Sequence, residues 1–152
     1  MVKNSETEEI KKVIFKGAVE IDDPIDSYSK HALIHDAVVM NREEIFDFLL
    51  GQGANLMVRD MNGYTPLLKA AALGRTSMVK KLVEKGGVDP RHCDPYGNTP
   101  RDKASLYNRY EIIKYLQDME AKANSGELKV VKNWKDPERL RRSGRFITKF
   151  DY

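Results

Sequence analysis

The chain has 152 residues, 41% hydrophobic and 32% charged, with a formal net charge of +3. That length suits one domain of about 100–200 residues and excludes a large multidomain enzyme. A single cysteine, Cys93, excludes an internal disulfide and most cysteine-based metal sites, and it fits a reducing compartment.

The charge is unevenly placed. Residues 122–152 carry nine Lys and Arg against four Asp and Glu, a net of +5. The other residues carry 17 against 19, a net of −2, so the basic character belongs to the C-terminal extension. The N-terminal stretch Met1–Glu9 lacks a charged-then-apolar signal layout and is too acidic for a standard organellar presequence. No apolar run approaches the ~18 residues of a membrane span. These features predict an intracellular protein, cytoplasmic by default, with a mitochondrial assembly as the alternative.

Residues 1–26 read as a covering helix and turn. Ile10, Val13, Ile14 and Ala18 recur at helical spacing after the cappable Ser5–Glu9. The helix is expected to end near Gly17, before Asp22-Asp23-Pro24, and to cover the open face of the next element.

From there the chain repeats itself. Asp60-Met61-Asn62-Gly63-Tyr64-Thr65-Pro66 and Asp94-Pro95-Tyr96-Gly97-Asn98-Thr99-Pro100 share one layout, 34 residues apart. Ala32–Ala37 matches Thr65–Ala70 at an offset of 33. The second halves also match: Glu44-Ile45-Phe46 through Gly53-Ala54-Asn55 parallels Ser77-Met78-Val79 through Gly86 and Val88-Asp89. Gly63 and Gly97 suit turns that need a positive φ. Thr65 and Thr99 can cap helices through their hydroxyls. Pro66 and Pro100 then sit in the first turn, where a missing N–H costs nothing. Gly53 and Gly86 are expected to end the second helix of each unit. Each unit is therefore turn, helix, short loop, helix.

On these residues the chain resembles the ankyrin repeat, over about residues 27–121. The match is most specific from Asp60 to Asp89, where Asp-x-x-Gly-x-Thr-Pro-Leu is followed by Ala70-Ala71, Gly74 and the closing Gly-plus-Asp. The resemblance implies an all-α fold, a short ankyrin-type solenoid of about three repeats. There are departures. Ala32-Leu33 replaces Thr-Pro in the first copy, which keeps the family's histidine as His35; Leu68 replaces that histidine in the second. Arg101 and Lys103 replace usually buried apolar positions in the third. Polar substitutions on the outer side suit a last repeat, so Asp94–Ala121 is read as the C-terminal cap.

Chemistry-bearing clusters are sparse. His31 and His35 are four apart, but His35 falls on the structural position and no third ligand is evident nearby. Cys93 beside His92 is not a nucleophile–base arrangement, because adjacent side chains rarely face each other. Gly86-Gly87 lacks the continuation of a phosphate loop. No enzyme, catalytic residue, cofactor or metal is expected.

A surface is more informative. The resemblance implies a concave face made from turn tips and the exposed sides of the first helices. Mapped here, it includes Tyr28, Val39, Met40, Arg59, Met61, Tyr64, Leu73, Tyr96, Leu106 and Tyr107. Such a patch of large apolar side chains on a monomer marks an interaction site. Its occupant is either a partner protein or the chain's own tail. In the extension, residues 122–152, Trp134, Phe146 and Phe150 interleave with basic residues that include Arg141 and Arg142. That composition suits an acidic protein surface or a nucleic acid. The resulting expectation is a non-enzymatic protein–protein interaction module, an accessory or adaptor subunit held in a larger assembly by groove and tail. The alternative is a nucleic-acid- or ribosome-associated protein whose tail contacts RNA or DNA.

Overall fold

The computed structural model of the chain describes residues 7–12 and 32–131. Val13, Ile14 and Ala18 of the covering helix, Tyr28, and the extension beyond residue 131 lie outside these. All regular structure among the described residues is helical. A first helical segment, α1, covers residues 7–12. Six helices follow in three antiparallel pairs: α2 Leu33–Val39 and α3 Glu43–Gly51, α4 Pro66–Leu73 and α5 Thr76–Glu84, α6 Pro100–Leu106 and α7 Tyr110–Ser125. Within each pair the helices pack on each other; α2 stacks on α4, α4 on α6, and α5 on α7.

The core lies between the two helical rows. Phe46, Leu49, Leu67, Met78, Leu82, Ile112 and Leu116 are fully buried in it. Burying each such side chain contributes about 1.5–3 kcal/mol. Ile10 of α1 packs against this core, and Lys11 bonds Glu44 at 3.5 Å while lying 5.6 Å from the Phe48 ring centroid. The described part of α1 thus sits on the first repeat. Between the outer helices, Lys81 reaches Glu43 at 2.9 Å and Asp47 at 2.8 Å.

The expected caps form. Thr65 Oγ1 accepts from the Leu68 N–H at 3.4 Å, and Thr99 Oγ1 from that of Asp102 at 3.2 Å. Asp102 Oδ2 returns the bond by accepting from the Thr99 N–H at 2.9 Å. His35 is structural: its Nδ1 accepts from the Ala32 N–H at 3.1 Å, and its Nε2–H donates to the Tyr64 carbonyl at 2.9 Å. One buried imidazole therefore caps its own helix and ties it to the next turn.

Three expectations need correction. Lys103 does not face outward; it is buried, with Nζ 3.2 Å from Asp94 Oδ2. A four-carbon stem lets its charge reach a carboxylate inside the repeat turn. Arg101 alone meets the end face, where it pairs with Glu120 at 3.3 Å. Second, Gly86 follows the Lys85 cap of α5 as expected, its N–H donating to the Lys81 carbonyl at 2.9 Å, but the positive φ, +69°, falls on Gly87. Gly86 is required for space, since a Cβ there would lie 2.5 Å from Leu56 Cδ1 and 2.6 Å from the Leu82 carbonyl oxygen. Third, α7 runs to Ser125, so residues 122–125 of the extension are helical. After the turn at Gly126, Leu128 packs against the core and the Val131 N–H donates to the Gly87 carbonyl at 2.8 Å.

Candidate protein-binding face

Two described repeat turns are each built around one aspartate. Asp60 Oδ1 accepts from the N–H groups of Asn62 and Tyr64, both at 2.9 Å. Asp94 Oδ1 does the same for Tyr96 and Asn98, again at 2.9 Å. The second oxygen of each meets a lysine nine residues on: Asp60–Lys69 at 3.0 Å and Asp94–Lys103 at 3.2 Å. Burial works against both carboxylates, but the backbone donors and lysines hold them below the usual carboxylate range. Burial also disfavours the Lys103 charge, yet Tyr64 and Asp94 carry its pKa upward.

These turns fix the tips. Met61 and Tyr96 project from them, Tyr96 being 86% exposed. Arg59 is exposed but engaged: it donates to the Gly63 carbonyl at 2.7 Å, to His92 Nε2 at 2.7 Å and to the Cys93 carbonyl at 3.1 Å. Burial and the Arg59 charge both push the His92 pKa down, so the imidazole accepts in its neutral form. Arg59 thus ties one turn to the next.

The first helices supply a ladder. Met40, Leu73 and Tyr107 occupy equivalent positions just at or beyond the ends of α2, α4 and α6; Val39, Ala72 and Leu106 form the row before them. Met40, Leu106 and Tyr107 are exposed, and Val39 is half-buried. Leu73 is half-buried against the core. Tyr64, expected in the open groove, is half-buried and wedged between lysines, with Lys69 Nζ 5.4 Å and Lys103 Nζ 4.7 Å from its ring centroid. The structure therefore brings Val39, Met40, Leu73, Leu106 and Tyr107 onto one run of stacked helices, with Arg59, Met61 and Tyr96 on the turns. Tyr28, Trp134, Arg141, Arg142, Phe146 and Phe150 lie outside the described residues.

Sequence reasoning missed two arginines and a tyrosine. Arg75 donates to the Val38 and Val39 carbonyls at 3.1 and 3.0 Å. Arg109 donates to the Ala72 carbonyl at 3.2 Å. Each reaches back to the C-terminus of the preceding first helix, where cations and donors are favourable. The signal was present: Asn41-Arg42, Gly74-Arg75 and Asn108-Arg109 recur at repeat spacing, with positive φ at each first residue. Tyr110, at the start of α7, is 73% exposed beside Leu106 and Tyr107 in sequence.

Elsewhere, among the described residues, no group of three or more His, Cys, Asp or Glu could hold a metal ion. A shallow depression on α5 is lined by Thr76, Ser77, Lys80, Lys81, Glu84 and Lys85, but Lys81 is taken by two carboxylates and Lys80 lies 3.9 Å from Glu111. No described helix is long and apolar enough to cross a membrane.

Residues 34–127 match a family model described as ankyrin repeats (3 copies). Relatives share parts of this region. The chain is 42% identical over 60 residues to "Glutaminase liver isoform, mitochondrial" of Rattus norvegicus, covering 40% of this chain and 10% of that protein. It is 37% identical over 75 residues to an "IkB-like protein" of African swine fever virus, covering 49% of this chain and 31% of that protein. It is 29% identical over 111 residues to the "RelA-associated inhibitor" of Mus musculus, covering 71% of this chain and 14% of that protein. The chain thus spans less than a third of the length of each of these relatives. Repeats of this family generally mediate protein–protein interaction. With the turns, the stacked helix pairs and a family match over more than half its length, the chain belongs to the ankyrin-repeat family.

Proposed function

We propose that the chain is a non-enzymatic protein-interaction module, an accessory or adaptor subunit held in an assembly through the Met40–Leu73–Tyr107 face and the basic extension. The observation that carries this reading is the exposure of Met40, Leu106 and Tyr107 on stacked, rigidly tied helices. An exposed apolar row on a stacked helical scaffold is suited to binding a surface. Trp134, Arg141, Arg142, Phe146 and Phe150 are proposed as a second contact, because aromatic side chains bury large areas on a partner. The single free cysteine supports an intracellular location. The names of the viral IkB-like protein and the RelA-associated inhibitor also favour a binding role over a catalytic one.

The test is purification of the tagged full chain with its partners, beside the variant Met40→Ser/Leu106→Ser/Tyr107→Ser. All three side chains are exposed, so the variant should keep its helicity and melting while losing the co-purifying protein. Retention of the same partner by the folded variant would overturn the face. Capture of RNA or DNA instead, lost steeply with added salt, would favour the nucleic-acid reading of the tail.

A further inference from the structure

The row of apolar steps carries a chemical bias that specifies its occupant. Arg75 lies on the Val38 and Val39 carbonyls, beside Met40. Arg109 lies across Gly74, beside Leu73: a Cβ placed on Gly74 would meet Arg109 Nε at 3.0 Å and Cζ at 3.2 Å. Gly74 thus leaves the space that the Arg109 guanidinium fills. Apolar side chain and guanidinium therefore alternate from one repeat to the next.

Neither arginine is spent by its capping role. A guanidinium has five N–H donors. Among the described residues, Arg109 uses Nε alone, and Arg75 uses Nε and one N–H of Nη2. No carboxylate among the described residues pairs with either. The nearby acids are committed elsewhere. Glu43 bonds Lys81, Glu44 bonds Lys11, Glu111 faces Lys80, and Asp102 caps its own helix through the Thr99 N–H. Asp36, one turn before Met40, is half-buried and already has a partner.

We propose that this face binds a protein segment that alternates apolar and carboxylate side chains, the carboxylates meeting Arg75 and Arg109 and the apolar groups meeting Met40, Leu73 and Tyr107. The proposal rests on the protein-interaction reading above. Stacked helices lie about 8–10 Å apart. An extended segment covers that distance in about three residues, and a helical one in about five to seven. Carboxylates are the partners of choice because a guanidinium presents a planar fork that matches them.

The experiment is selection of peptides from a displayed random 16-residue library on the full chain, with binding then measured for synthetic copies. The expected peptides are rich in Asp and Glu between apolar residues. Arg75→Gln and Arg109→Gln should each weaken them about tenfold, and about 200 mM added salt should weaken them further. Should Arg75→Gln unfold the chain, Arg109→Glu serves in its place: it should lose the acidic peptides and regain binding to copies with Glu changed to Lys. Neutral or basic peptides that depend on Met40 and Tyr107 but ignore both arginines would overturn the acidic occupant and leave the interaction face standing. Peptides indifferent to Met40 and Tyr107 would overturn both readings. A single-stranded oligonucleotide pool that displaces the peptides through Arg75 and Arg109 would overturn the protein occupant.

Discussion

Lys103 stands over the ring of Tyr64, its Nζ 4.7 Å from the centroid and 3.1 Å from Oη, although the two residues are 39 apart in sequence. The same ammonium reaches Asp94 Oδ2 at 3.2 Å. One buried cation thereby joins the second repeat's turn to the third repeat's turn and first helix. The contact explains why Tyr64 is half-buried and why a lysine is tolerated at a position 8% exposed.

Removing that cation should be costly. Lys103→Met leaves the Asp94 carboxylate with its Tyr96 and Asn98 donors but without its counter-charge, which destabilises by about 1–3 kcal/mol. Asn at position 94 could still accept the turn's backbone bonds. The double variant Lys103→Met/Asp94→Asn should therefore lose less than the sum of the single losses. Urea unfolding of the four proteins gives the coupling directly. Additive losses would show that the 3.2 Å pair contributes no specific interaction.

The aspartate turns also set an acid limit. Asp60 and Asp94 have folded-state pKa values below the unfolded value of about 3.9. Their contribution is therefore complete above that pH and is lost as pH falls through the lower, folded value. Lys103 has the opposite sign: its folded pKa is raised, so its contribution fades only as pH climbs through that value. Asp60→Asn should be less stable than the parent at pH 7, and the difference should shrink as the pH is lowered through about 4 and below. A gap that stays constant over this range would contradict the assignment of the lowered carboxylates.

Much of this architecture was legible because repetition exposes it. Asp60 and Asp94, Thr65-Pro66 and Thr99-Pro100, and the spaced apolar residues of α3, α5 and α7 each report a local rule of turns, caps or helical period. The fate of Lys103 was not legible, because its burial depends on a carboxylate and a ring brought together only by stacking. Arg75 and Arg109 were missed for a related reason. Their partners are backbone carbonyls, which leave no trace in side-chain identity, and only the recurrence of the residue before each arginine marks the position. The face itself was partly legible: Met40, Leu106 and Tyr107 are exposed as expected, whereas Leu73 and Tyr64 are drawn toward the core and the lysines. The expected contacts at Tyr28 and from Trp134 onward lie outside the described residues.

The glycines at the ends of the second helices should separate by mechanism. Gly86→Ala drives a Cβ to 2.5 Å from Leu56 Cδ1 and 2.6 Å from the Leu82 carbonyl oxygen, and should cost about 1–3 kcal/mol or more. Gly51→Ala meets nothing within 4 Å at an exposed helix end, and should be neutral or stabilising by about 0.5–1 kcal/mol. Thermal and urea unfolding of the two variants decide this. Equal effects would mean that crowding at Gly86 is relieved by small movements of Leu56 and the α5 terminus.

The boundary of the repeat domain is tested by two truncations. Ending the chain after Gly126 removes Leu128, which packs on the core, and the Val131 N–H bond to the Gly87 carbonyl. Partial burial of one leucine and one peripheral hydrogen bond together suggest a loss of about 1–3 kcal/mol. Ending it after Val131 keeps both contacts and should leave stability within about 0.5 kcal/mol of the parent. The second truncation also removes Trp134, Arg141, Arg142, Phe146 and Phe150, and should weaken assembly strongly if these residues hold a partner. Measuring both truncations by urea unfolding and partner capture separates support of the fold from binding. A shorter chain that unfolds when cut after Val131 would place part of the basic extension in the folding unit. Loss of partner with unchanged stability would instead assign that extension to the interface, as a second contact beside the Met40–Tyr107 row.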